Sequence, residues 1–125
     1  MKNGTLIFWV CILLLVVAGV GASVLVRPGP GQLDSFAQCL TEKGATFYGA
    51  FWCPHCQAQK RMFGSSAKLL PYIECSTPDG QGQLQACKDK EVQQYPTWEF
   101  EDGERLTGEI PLTQLAEKTG CTLPQ

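Results

Sequence analysis

Two cysteines separated by two residues stand in the segment Trp52-Cys53-Pro54-His55-Cys56. The aromatic run that ends at Trp52 predicts a buried strand over Phe47–Trp52, and the residues from Gln57 to Phe63 predict a helix. Pro54 suits the first turn of that helix, because the N–H that proline lacks has no intrahelical partner there. A CxxC pair at a strand-to-helix junction is therefore predicted.

The two thiols of this pair differ in their predicted surroundings. Cys53 stands at the helix N-terminus, where free backbone N–H groups and the helix dipole favour a thiolate. Cys56 lies one turn further on, close enough to close a small disulfide with Cys53. The arrangement predicts a pair that exchanges disulfides.

Two other interpretations of the CxxC segment are less consistent with the rest of the sequence. A zinc site usually needs two close pairs of ligands, but there is no second CxxC, and the only histidine, His55, lies inside the motif. A purely structural Cys53–Cys56 link would close a very short loop, which restricts the unfolded chain less than a long loop does. We therefore expect no bound metal and no cofactor.

Residues 6–26 carry no charge and are long enough, as a helix, to cross a bilayer core of roughly 30 Å. Lys2 precedes this segment and Arg27 follows it, which favours a cytoplasmic N-terminus. The expected organisation is a tail at 1–5, a transmembrane anchor at 6–26, a linker at 27–31 and one domain at 32–125. A signal peptide cleaved near Ala22 is the alternative. Both interpretations place the domain outside the cytoplasm.

The cysteines agree with export, and the charge argues against a nucleic-acid partner. Apart from Cys11, within the apolar segment, six cysteines lie in a domain of fewer than 100 residues, which suits an oxidising compartment. The net charge is −2, and no basic patch is interleaved with aromatic residues. Nucleic acid is therefore not an expected partner.

Hydrophobic periodicity and turn residues predict alternating helices and strands in the domain. In chain order these are a helix at 32–43, the CxxC strand and helix, a strand at 69–75, a turn at 77–82, a helix at 83–90, a strand at 95–100, a hairpin turn at 102–103, a strand at 105–107 and a helix at 112–119. The order predicts an α/β fold with a mixed sheet flanked by helices and a parallel first strand pair. Pro96 is expected at the start of its strand, because proline cannot donate to a ladder.

The domain resembles a thioredoxin-like domain, most closely the one fused to bacterial and plant homologues of vitamin K epoxide reductase. The matching residues are Tyr48-Gly49-Ala50-Phe51-Trp52 with the CPHC motif, Tyr72-Ile73-Glu74-Cys75, Cys87 and Tyr95-Pro96-Thr97-Trp98. Together they cover nearly the whole predicted domain. Cys39 and Cys121 are additional to this pattern, and the quinone-reducing membrane domain is absent from this sequence.

The resemblance implies roles for the residues of the motif. Cys53 would be the attacking thiol and Cys56 the resolving thiol, while Pro54 and His55 would tune the pair. A Pro-His dipeptide between the cysteines is shared with strongly oxidising members of the fold. Thioredoxin carries a buried Asp where this sequence has Phe47, which disfavours strong reductase activity.

The resemblance also implies a substrate-binding edge. Pro96 would be a cis-proline facing the CxxC pair, and the backbone of Tyr95 would pair with an extended client segment. Trp52 is a candidate for client contact, with a core or rim position as the alternative.

Four further cysteines are predicted to form structural disulfides. Cys75 and Cys87 bracket the turn-rich segment 77–82, so a disulfide between them would staple that loop. A second redox pair that relays electrons to Cys53 and Cys56 is the alternative. Cys39 and Cys121 would then pair with each other, although the sequence alone does not set the connectivity.

The leading hypothesis is a membrane-anchored thiol–disulfide oxidoreductase that oxidises client thiols outside the cytoplasm. It would be recharged by a membrane protein related to vitamin K epoxide reductase. A reductase or isomerase is the alternative enzyme. A non-catalytic binding or assembly factor is an alternative from another class, which the intact CxxC pair disfavours. A metal chaperone is a further alternative, but it does not explain Pro96.

Overall fold

A computed structural model describes residues 2–25 and 30–125 of the protein. The helices are α1 Lys2–Leu25, α2 Asp34–Glu42, α3 Pro54–Met62, α4 Gln85–Asp89 and α5 Leu112–Thr119, with a 3-10 helix at Gly64–Leu69. The strands are β1 Thr46–Gly49, β2 Tyr72–Glu74, β3 Thr97–Glu99 and β4 Arg105–Thr107. Residue 1 of the predicted tail, residue 26 at the end of the predicted anchor and residues 27–29 of the predicted linker lie outside the described residues.

The structure corrects the prediction of a membrane anchor at residues 6–26. A spanning helix needs roughly 20 consecutive apolar residues to match the hydrocarbon core. In the part of the chain that the structure describes, no helix combines the length and the apolar character that crossing a membrane requires. The predicted transmembrane helix and the predicted membrane-anchored location are therefore wrong.

Four strands form one mixed sheet in the order β2-β1-β3-β4. Strand β1 pairs in parallel with β2, with Tyr48 opposite Ile73, and antiparallel with β3, with Phe47 opposite Trp98. Strands β3 and β4 form the predicted hairpin. The predicted α/β fold with a mixed sheet and flanking helices is confirmed, including the parallel first pair.

Successive residues of β1 point to opposite faces of the sheet, and each face has its own buried cluster. On one face Phe47 stacks on Trp98 with a centroid distance of 4.8 Å, in the main core, to which α2 contributes Phe36 and Leu40. On the other face Tyr48 packs in a smaller cluster with Cys75, Cys87 and Val92. Strand β1 is thereby held from both sides immediately before the CxxC segment.

Strand β1 is shorter than the predicted strand Phe47–Trp52. It ends at Gly49, and the N–H of Cys53 donates to the carbonyl of Ala50 at 3.0 Å, which closes a turn. Phe51 and Trp52 are consequently about half exposed, at 48% and 53%. The aromatic composition of this run reflects a turn surface beside the cysteines as well as a buried strand.

Two disulfides join distant parts of the domain. Cys39 on α2 is bonded to Cys121 after α5, and Cys75 after β2 is bonded to Cys87 on α4. In the part of the chain that the structure describes, the free cysteines are Cys11, Cys53 and Cys56.

Candidate active site

Cys53 is the N-cap residue of α3. Its backbone is extended, and its sulfur accepts the backbone N–H of Cys56 at 3.2 Å. Pro54 occupies the first helical turn, as its sequence position predicts. A sulfur that caps a helix receives a backbone hydrogen bond and lies at the positive end of the helix dipole.

Cys56 lies in the first turn of α3, after Cys53, and is fully buried, whereas Cys53 is 4% exposed. The pKa of Cys56 is raised to about 12, mainly by burial and in second place by a hydrogen bond with Cys53. The backbone of Ala50 and the charge of Lys60 act in the opposite direction. Cys56 is therefore a protonated thiol at neutral pH.

Gly49 lets a tyrosine ring approach the buried cysteine. A Cβ placed at Gly49 would lie 2.8 Å from the Tyr72 ring and 3.1 Å from the Cys56 sulfur. Cβ atoms do not tolerate such contacts, so only glycine fits between the two side chains. The Tyr72 ring and the Cys56 sulfur therefore both lie on the side of Gly49 where a Cβ would project.

His55 is paired with a carboxylate that is distant in sequence. Its Nδ1 lies 2.7 Å from Oε1 of Glu109, and its side chain is 68% exposed. Gln59, one turn further along α3 and fully buried, fixes the segment that carries Glu109. Its amide nitrogen donates to the carbonyl of Ile110 at 3.0 Å, and its amide oxygen accepts the N–H of Ile110 at 2.7 Å.

The aromatic residues before Cys53 form an ordered surface. The indole N–H of Trp52 donates to Oγ of Ser76 at 2.8 Å, and the Trp52 ring meets the Tyr95 ring edge-on at 6.1 Å. Both Phe51 and Trp52 lie against the loop at Gly80. An exposed but anchored aromatic pair beside a reactive sulfur suits contact with another polypeptide.

The Tyr95–Pro96 peptide bond is cis, and Pro96 is fully buried immediately before β3. Its carbonyl accepts the N–H of Gly108 at 2.9 Å. The structure thus places Pro96 at the strand start expected from the sequence. Its role and that of Tyr95 towards a substrate stay predictions.

A carboxylate from β2 holds the backbone of the turn before Cys53. Oε1 of Glu74 accepts the N–H groups of Phe51 and Ser76, at 3.2 and 2.9 Å, and its Oε2 accepts the Tyr72 hydroxyl at 2.8 Å. Phe47, where thioredoxin has its buried Asp, is fully buried in the core. Glu74 therefore anchors the backbone that leads into Cys53.

Cys75 and Cys87 belong to a different buried cluster from the CxxC pair, whereas Cys121 lies in the same main core as that pair. Cys75 and Cys87 are both fully buried on the opposite face of the sheet, and their structural role stays a prediction. Among the residues that the structure describes, no group of three or more His, Cys, Asp or Glu side chains is placed to hold a metal ion. A zinc site therefore has no ligand set in that part of the chain.

Sequence reasoning missed the partners that come from other elements. Glu109 lies 54 residues from His55, and Gln59 acts on a backbone segment 51 residues away. No local spacing signals either contact. Gln59 did carry a weak signal, because it is a polar residue one turn after Cys56 on the same helix face.

Comparison with known proteins supports disulfide chemistry at this site. No protein-family model matches the chain. Over an alignment 142 residues long, gaps included, the chain is 39% identical to the protein named Thiol-disulfide oxidoreductase LTO1 from Arabidopsis thaliana. The alignment includes 93% of this chain but only 37% of that protein, so the chain spans little more than a third of its relative's length. Over nearly its whole length, this chain is similar to part of a thiol–disulfide oxidoreductase.

Proposed function

We propose that this protein is a thiol–disulfide oxidoreductase that passes a disulfide from Cys53 and Cys56 to cysteine pairs of client proteins. The observation that carries the proposal is the difference between the two sulfurs. The Cys53 sulfur caps α3 and is the less buried of the two, while Cys56 is fully buried. The similarity to a named thiol–disulfide oxidoreductase supports the same reaction class.

The exchange proceeds in two steps. A client thiolate attacks the Cys53 sulfur of the Cys53–Cys56 disulfide, forming a client–Cys53 mixed disulfide, and Cys56 leaves as a thiolate that takes up a proton. A second client thiolate then attacks the client sulfur of the mixed disulfide, and Cys53 leaves as a thiolate. The client gains a disulfide and loses two electrons, which reduce the Cys53–Cys56 pair.

Oxidation is the favoured direction because the site stabilises the reduced form of the pair. The Cys53 thiolate is a good leaving group when it receives a backbone N–H and the helix dipole. Phe47 offers no carboxylate to accept a proton from Cys56. Since Nδ1 of His55 is paired with Glu109, the proposal rests on the helix N-terminus rather than on His55.

Recharging requires an acceptor for two electrons. The resemblance to domains fused to homologues of vitamin K epoxide reductase suggests a membrane protein of that class. Such a partner would reoxidise Cys53 and Cys56 by the reverse exchange, with its own disulfide as the oxidant. The orientation of Phe51 and Trp52 beside Cys53 suits both this partner and clients.

The test uses the oxidised full chain and a reduced client peptide with two cysteines, with disulfide formation followed by mass. The unchanged protein and Cys11→Ser, which alters the other free cysteine, should oxidise the peptide equally. Cys53→Ser and Cys56→Ser should not, because neither retains the pair. Oxidation by Cys53→Ser at the unchanged rate would refute the proposal.

A further inference from the structure

Lys60 is held in a defined position beside the buried cysteine. It lies four residues after Cys56 on α3, so the two side chains share one face of the helix. Its ammonium nitrogen stands 3.3 Å from the centroid of the Tyr72 ring. The same ring and the Cys56 sulfur lie 2.8 and 3.1 Å from the point where a Cβ of residue 49 would stand.

The hydroxyl of Tyr72 is fixed as well. It donates to Oε2 of Glu74 at 2.8 Å, while Oε1 of that carboxylate accepts the N–H of Phe51, in the turn before Cys53. The ring therefore has an anchor at its hydroxyl and a cation on its face. A Lys on an aromatic face is attracted by the ring quadrupole, so Tyr72 limits where the Lys60 charge can lie.

A cation in this position addresses the main electrostatic difficulty of the exchange. Cys56 is fully buried, and burial disfavours the thiolate that it must become. Among the charged side chains described, Lys60 is the cation whose charge lowers the pKa of Cys56. His55 is exposed and faces Glu109, and the neighbouring Arg61 is exposed.

We propose that Lys60 stabilises the Cys56 thiolate during disulfide exchange and that Tyr72 is the residue that positions it. When a thiolate opens the Cys53–Cys56 disulfide, Cys56 leaves as an anion near this charge and then takes a proton from water. In the reverse step Cys56 loses its proton to water and attacks the Cys53 sulfur of a mixed disulfide. The bond between Cys53 and the other sulfur breaks, and that sulfur leaves as a thiolate.

The same charge serves both directions, because opening and closing pass through one transition state. The inference rests on the proposed function only in taking Cys53 and Cys56 as the exchanging pair. It can therefore be tested with a small disulfide and without any client protein.

The experiment follows the reaction of the reduced full chain with oxidised glutathione, in a Cys11→Ser background. Samples are quenched with acid at intervals, and intact mass separates the mixed disulfide from the closed Cys53–Cys56 form. The first step reports attack by Cys53, and the second reports ring closure by Cys56. Lys60→Met removes the charge, Lys60→Arg keeps it, and Arg61→Met removes a neighbouring exposed charge from the same helix turn.

Lys60→Met should close the ring about threefold more slowly, while formation of the mixed disulfide is unchanged. A rise of one unit in the pKa of Cys56 lowers its thiolate population about tenfold. The more basic thiolate is about threefold more nucleophilic, so the net slowing of ring closure is about threefold. Lys60→Arg and Arg61→Met should close at the starting rate. Tyr72→Leu should slow closure in the Lys60 protein and have no further effect in Lys60→Met.

Equal closure rates for Lys60→Met and Arg61→Met would overturn the inference, and so would a Lys60→Arg variant as slow as Lys60→Met. Circular dichroism checks the fold, and Lys60→Gln is read in the same way if Lys60→Met does not fold. A protein that closes with glutathione but never oxidises a client peptide would refute the proposed function and leave the role of Lys60 standing.

Discussion

Among the single residues of the site, the two cysteine sulfurs differ in their burial and in one hydrogen bond. Cys53 caps α3 and accepts the N–H of Cys56, whereas Cys56 lies in the core with its pKa raised to about 12. In the proposed mechanism, Cys53 therefore exchanges with an outside partner and Cys56 reacts from within the protein.

This division predicts which variant traps a mixed disulfide. Cys56→Ser should accumulate disulfide-linked clients through Cys53, because the resolving thiol is missing, and non-reducing electrophoresis should show the adducts. Cys53→Ser is the matched variant and should trap little, since Cys56 is fully buried. Trapping by Cys53→Ser and not by Cys56→Ser would reverse the assignment.

The raised pKa of Cys56 predicts slow alkylation. The thiolate is the reactive form, and its population falls about tenfold for each pH unit below the pKa. At pH 8 iodoacetamide should therefore label Cys53 first, and labelling of Cys56 should increase as the pH is raised towards 12. Peptide mass spectrometry of the reduced protein measures both sites. Labelling of Cys56 as fast as Cys53 at pH 8 would contradict this account.

At the scale of elements, the site depends on how α3 is joined to its neighbours. The sequence predicted the start of α3 at Pro54 and the bounds of β4 and α5, because proline chemistry, turn residues and hydrophobic periodicity are local signals. It did not predict that β1 stops at Gly49. The end of β1 depends on the turn between Ala50 and Cys53 and on the close approach of Tyr72.

Contacts between elements explain the rest of what sequence reasoning missed. Gln59 joins α3 to Ile110, Lys60 reaches Tyr72 on β2, and Glu74 holds the CxxC turn from that same strand. Each pairing joins residues from different parts of the fold, so spacing along the chain does not signal it.

The contact between Gln59 and the backbone of Ile110 should stabilise the fold. Gln59→Leu keeps a similar volume but leaves the N–H and carbonyl of Ile110 unpaired in the interior, at about 1–3 kcal/mol for each group. The free energy of unfolding, measured with urea, should fall by about 2–4 kcal/mol. Gln114→Leu, an exposed glutamine on α5, is the control and should change stability little. Equal effects of the two substitutions would show that the Gln59 contacts do not stabilise the fold.

At the scale of the whole molecule, two disulfides close loops of very different length around one mixed sheet. Cys39 and Cys121 are 82 residues apart and join α2 to the end of the chain, whereas Cys75 and Cys87 are 12 residues apart. A longer loop restricts the unfolded chain more strongly. The first disulfide should therefore contribute more to the stability of the domain.

Paired serine substitutions test this order. Cys39→Ser/Cys121→Ser should lower the free energy of unfolding by about 4 kcal/mol, and Cys75→Ser/Cys87→Ser by about 3 kcal/mol. The latter variant should keep exchange activity while it remains folded, because its cysteines are buried away from Cys53. Loss of client turnover in a well-folded Cys75→Ser/Cys87→Ser protein would instead favour a relay between the two pairs.

If the Cys53–Cys56 pair is an oxidant, its reduction potential must be high. The full chain is equilibrated with glutathione buffers of graded composition, and the oxidised fraction is measured by alkylation and intact mass. Because the Cys53 sulfur caps α3 and accepts the N–H of Cys56, we expect the midpoint to lie well above thioredoxin's value of about −270 mV. A midpoint at or below that value would contradict the claim and favour a reductase.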